Sequence, residues 1–75
     1  MGDEPAGLVD VILLDAGQTP VGIYRVIRRV TTLNVKQARA RVDAAPGPII
    51  TGLARVQAEA IKVELEAHGA IVQLR

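Results

Sequence analysis

Val21, Arg25 and Arg28 lie four and three residues apart within the stretch TPVGIYRVIRRV. A helix through that stretch would therefore hold a valine and two guanidinium groups on one strip of surface. The chemistry of such a strip is association: an apolar centre ringed by cations desolvates against a partner while its charges capture an acidic one. The cations belong to a wider field. Six of the nine basic residues, Arg25, Arg28, Arg29, Lys36, Arg39 and Arg41, fall between Ala16 and Val42, a window with no acidic residue. Since the net charge is only +1, this positive field is local to that window. Its ordinary explanation is a solvated helical face. The sharper one is a surface shaped for an acidic protein or a phosphate backbone.

The groups able to do covalent or acid–base work are scattered. His68 is the single histidine, Asp10 and Asp15 fall on a strand and its exit, and Glu59, Glu64 and Glu66 spread around one helix. Catalysis needs an acid, base or nucleophile converging on a pocket, and this spacing provides no such convergence. We expect no catalytic residue, no metal site and no cofactor. The absence of cysteine removes disulfides and cysteine-based zinc sites, and AGQT lacks the glycine and lysine spacing of a phosphate loop. Tyr24 is the only aromatic residue, whereas single-strand binders present several stacking platforms, so no specific nucleic acid is expected. His68 reads as a helix-terminal residue whose charge favours the C-terminal dipole.

The elements that position these residues follow from the chain's punctuation. Seventy-five residues with ten Val, seven Ile, seven Leu and no Phe or Trp specify one small aliphatic core. VDVILL, residues 9–14, reads as a strand. Thr19 is the expected N-cap of the next element, with Pro20 at its first position. Ile23, Val26, Ile27 and Val30 then recur at helical spacing as a buried stripe, with Val21, Arg25 and Arg28 opposite. Asn34 should cap a second helix through VKQARARVDAA, with Val35, Ala38, Val42 and Ala45 inward and PGP ending it. IITG is expected to be a short edge strand or an extended link. A third helix runs from about Leu53 to Ala67, with Ala58, Ile61 and Leu65 inward and Gly69 just past its end. AIVQLR closes the chain as a strand. The order indicates an α+β domain over residues 8–75, its helices on one face of a small sheet, after a disordered tail at residues 1–7. No apolar run approaches the ~18 residues of a membrane span, and MGDEPAG lacks the basic start and apolar centre of a signal peptide, so we expect a cytoplasmic chain without membrane contact.

From Val9 to Arg75 the sequence resembles the C-terminal domain of the bacterial ribosomal stalk protein of the large subunit. The resemblance is carried by DVIL followed by AG, the helix with Val21, Arg25 and Arg28, then LNVKQAR, VDAAP, AEAIK and LEAHGAIVQLR, in order and at the family's spacing. It implies the topology β-α-α-β-α-β, with three helices packed on one face of an antiparallel sheet. It also implies a function: stalk domains recruit translational GTPases, elongation factors Tu and G among them, through the first two helices. The matching positions here are Val21, Gly22, Tyr24, Arg25, Arg28, Val35, Lys36 and Arg39. The family has alanine where this chain has Gly22 and isoleucine where it has Tyr24. A complete stalk protein also carries a dimerisation domain and hinge that tether it to the ribosome, which the residues before the first strand here are too few to supply.

VILLDAGQTP also resembles the start of the Clp-protease adaptor S, which presents substrates to an unfoldase. The acidic cluster that adaptor needs is reduced here to Asp15, Ala16 and Gly17. A further expectation concerns Leu14, Ile50, Val56, Val63 and Ile71, aliphatic where the stalk family commonly has charge. Ile12, Leu14 and Ile71 should share an outer sheet face, and Val56 and Val63 should form a second stripe on the third helix. Either patch would suit weak homodimerisation.

Overall fold

The computed structural model describes residues 7–75, so the expected disordered tail, Gly7 apart, lies outside the described residues. The elements are β1 (Leu8–Asp15), α1 (Pro20–Val30), α2 (Val35–Asp43), β2 (Gly47–Ala54), α3 (Arg55–Ala67) and β3 (Ile71–Leu74). The three strands form one antiparallel sheet in the order β2-β1-β3. This is the expected α+β fold. Because side chains alternate along a strand, Val9, Val11 and Leu13 of β1 all enter the core. There they meet Ile23, Val26 and Ile27 of α1, Ala38 and Val42 of α2, and Ala58, Ile61 and Leu65 of α3.

Most helix boundaries have a local cause. Asn34 caps α2 through a complete capping box: its side chain accepts from the Gln37 amide at 2.8 Å, and the Gln37 side chain accepts from the Asn34 amide at 3.0 Å. The end of α3 is a Schellman motif, with the Ala70 amide on the Leu65 carbonyl and the Gly69 amide on that of Glu66. Gly69 takes φ +88°, a conformation glycine adopts without Cβ strain. Thr19 corrects our expectation. It precedes α1 but makes no side-chain cap; its hydroxyl donates instead to the His68 carbonyl at 3.0 Å, tying the start of α1 to the end of α3.

The largest departure from the sequence reading is β2. IITG is the middle of an eight-residue strand, and α3 begins at Arg55 because Leu53 and Ala54 pair with Val9 and Leu8. Register shifts along β1 accommodate the irregular residues, with Gly52 at φ +69° and its amide donating to the Asp10 carboxylate at 3.0 Å. One consequence is that consecutive Ile49 and Ile50 are both buried, so Ile50 adds no surface, contrary to expectation. Ile12 is corrected as well. It lies on the central strand between Pro48 and Gln73 and is only 7% exposed, so of the expected outer patch just Leu14 and Ile71 remain exposed.

Candidate protein-interaction surface

The α1 stripe of Ile23, Val26 and Ile27 is buried, which turns Val21, Arg25 and Arg28 to solvent, as their spacing requires. Val21 is 60% exposed. The turn to α2 is held by Thr31, whose hydroxyl donates to the Ile27 carbonyl at 2.7 Å and accepts from the Leu33 amide at 3.2 Å. The chain then enters α2 at the Asn34 capping box, with Val35 and Lys36 in the first turn. Val35 was expected on the inner face of α2; it is 51% exposed, and only Ala38 and Val42 of that helix are buried. Lys36 and Arg39 are exposed beside it.

The surface thus carries two exposed valines on adjoining helices among four cations. Arg39 has a carboxylate nearby, Asp43 at 4.0 Å one turn on. Among the described residues, Arg25, Arg28 and Lys36 have no such ion pair. Tyr24 and Gly22 differ from the other six. Tyr24 is half-buried and packs against the core, and half-buried Gly22 faces the end of α3. A Cβ on Gly22 would lie 2.2 Å from His68 Nδ1, so the imidazole occupies the space a side chain would need.

A second tie to α3 was not anticipated. The Arg29 guanidinium forms a two-pronged hydrogen bond and ion pair with the Glu64 carboxylate. The hydrogen bond raises the Arg29 pKa and, in return, holds the Glu64 carboxyl below its ordinary value, with His68 adding a smaller favourable charge. Arg29 is one of three arginines within five residues, and pairing it with a residue thirty-five positions away is a tertiary fact. Gly22 did leave a signal: glycine inside a helical pattern marks close packing when nothing else explains it.

Asp15 accepts from the Gly17 amide at 2.7 Å and so closes its own turn. Among the described residues, no cluster of three or more His, Asp or Glu could hold a metal, and no buried side-chain polar atom lacks a hydrogen-bond partner. No helix among them is long and apolar enough to cross a membrane.

A family model described as the ribosomal protein L7/L12 C-terminal domain matches residues 9–75. The chain belongs to this family. Similar proteins are the large ribosomal subunit protein bL12 of Shouchella clausii, 47% identical, and those of Rubrobacter xylanophilus, 46%, and Dictyoglomus thermophilum, 44%. Each alignment covers 88% of this chain and, in that order, 55%, 52% and 53% of the relative, so the chain spans about half the length of the curated relatives it matches. The stalk resemblance read from DVIL to LEAHGAIVQLR is thereby established as family membership. The L7/L12-type match begins at Val9, inside β1, and runs through β3 to the final Arg75.

Proposed function

We propose that this stalk-type domain binds translational GTPases of the elongation factor Tu and G kinds through the exposed faces of α1 and α2, and so acts in translation in the cytoplasm as a non-catalytic recruitment module. The observation that carries this reading is the pair of exposed valines, Val21 and Val35, set among Arg25, Arg28, Lys36 and Arg39. Two aliphatic side chains provide the desolvated centre, and the cations accelerate encounter with an acidic surface and fix its orientation. Gly22 and Tyr24 contribute differently. Gly22 lets the start of α1 close against His68, and Tyr24 anchors the helix to the core while presenting its remaining surface at the edge.

Family membership supports the reading, since the relatives are ribosomal proteins by name. Attachment to the ribosome belongs to the same proposal. The test is a binding titration with an elongation factor Tu-type GTPase over a range of salt. Arg25→Glu and Arg28→Glu should each weaken binding by at least ~1 kcal/mol, mainly through slower association, and raised salt should weaken the parent. An affinity indifferent to both substitutions and to salt would remove the electrostatic half of the reading.

A further inference from the structure

Tyr24, the only aromatic residue of the chain, is held at its body and free at its tip. It is half-buried and packs against the core. Among the described residues no hydrogen bond involves its hydroxyl. Since no buried side-chain polar atom there lacks a partner, the unpartnered hydroxyl is not buried: it reaches solvent. A ring fixed by packing that carries a free donor and acceptor is ordered before a partner arrives, so recognition through it costs little entropy.

Helical phase places this residue within the surface. Gly22 and Arg29 mark the flank of α1 that faces α3, through His68 and Glu64. At ~100° per residue Tyr24 lies about 140–160° round the helix from both, on the flank turned to α2. It stands about 60° from Val21 and about 40° from Arg28. Arg28 is one turn further on, and long helical side chains lean towards the N-terminus, which carries its guanidinium back over the turn that holds the tyrosine. Arg28 has no ion pair among the described residues. Neither group is satisfied within the domain, and both suit one acceptor: a carboxylate takes a phenol O–H and a guanidinium N–H at once.

We infer that Tyr24 and Arg28 together grip one carboxylate of the partner, an Asp or Glu side chain on the GTPase, which makes Tyr24 a selectivity-determining residue of this surface. The inference rests on the function proposed above. Arg25, Lys36 and Arg39 draw in any acidic surface, whereas the pair demands a carboxylate at one place. A partner offering an aliphatic group there is disfavoured, because its docking leaves the hydroxyl covered and without an acceptor.

Binding of an elongation factor Tu-type GTPase, resolved into association and dissociation rates, tests this on single and double variants. Tyr24→Phe keeps the ring and removes only the hydroxyl. It should melt close to the parent temperature, associate as fast, and bind about tenfold more weakly through faster dissociation. Arg28→Gln should also weaken binding, and with it in place Tyr24→Phe should cost less than about twofold more, since the carboxylate is no longer held. Val56 and Val63 are exposed on α3, beyond the opposite flank of α1, and Val63→Thr is the control that should leave affinity unchanged. A Tyr24→Phe variant that binds like the parent overturns the inference; an arginine merely stacked on the ring would give that result. Independent effects of the two substitutions would put the residues on separate groups and overturn it too. If Arg25→Glu weakens binding while Tyr24→Phe does not, only this inference fails; a parent that binds no GTPase removes the proposed function with it. A short single-stranded RNA whose binding follows the same two substitutions would assign the grip to phosphate and overturn the carboxylate.

Discussion

The ring of His68 lies where a Cβ on Gly22 would be, 2.2 Å from Nδ1 and 2.5 Å from Cε1. Two residues far apart in sequence thus share one volume, where the start of α1 meets the end of α3. The neighbouring bond from the Thr19 hydroxyl to the His68 carbonyl holds the same two ends together. A double-mutant cycle should expose the coupling. With His68→Ala in place, Gly22→Ala should stabilise the domain by roughly 0.5–1 kcal/mol, the difference in helix propensity. In the parent the same change must swing the imidazole out, and the gain should shrink or reverse. Additive melting shifts would show that the two residues do not share this space.

The core makes a larger claim. Ile27 and Leu65 are fully buried on facing helices, so Ile27→Ala or Leu65→Ala should cost roughly 2–5 kcal/mol. Native stability is only ~5–15 kcal/mol, and a domain this small belongs near the lower end, so either variant should be close to unfolded. Chemical denaturation would measure the loss. A variant melting within a degree or two of the parent would refute the packing.

The ion pair of Arg29 and Glu64 carries a pH signature. Because the Arg29 guanidinium lowers the Glu64 pKa, the folded state favours the carboxylate relative to the unfolded chain. The resulting stabilisation is complete above the unfolded value and is lost as pH falls through the depressed folded value. Both side chains are substantially exposed, so the effect should be small and sensitive to salt. Carboxyl titration followed by NMR should find Glu64 below the ordinary glutamate range, and Arg29→Met should move it back up. An unchanged Glu64 titration in that variant would show that the pair does not persist in solution.

How much of this was legible depended on whether the cause was local. Ile23, Val26 and Ile27 announced α1, and Asn34 announced the cap of α2, because those signals act within one or two turns. Gly47, Pro48 and Gly52 made β2 look too broken to be a full strand; its pairing with β1 and the register shifts between them overrode that composition. The strand of Ile12 is legible in the sequence but its exposure is not, since cover on an outer sheet face comes from neighbouring strands. Val35 departs from the inward position its spacing predicts because α2 is short and only its second and third turns reach the core. In the candidate site, the exposed positions on α1 followed from helical phase, but the resemblance named the α2 half. The contacts of Gly22 with His68 and of Arg29 with Glu64 depend on how α3 crosses α1, which no local pattern encodes.

The most direct test of the central claim is to map the surface that an elongation factor Tu-type GTPase covers on the isotopically labelled domain. Line broadening and shift changes should centre on Val21, Arg25 and Arg28 of α1 and Val35, Lys36 and Arg39 of α2. Val56 and Val63 on α3 and Leu14 and Ile71 on the sheet should be far less affected. Perturbations centred on α3 or on the sheet, or none at saturating GTPase, would contradict recognition through the first two helices.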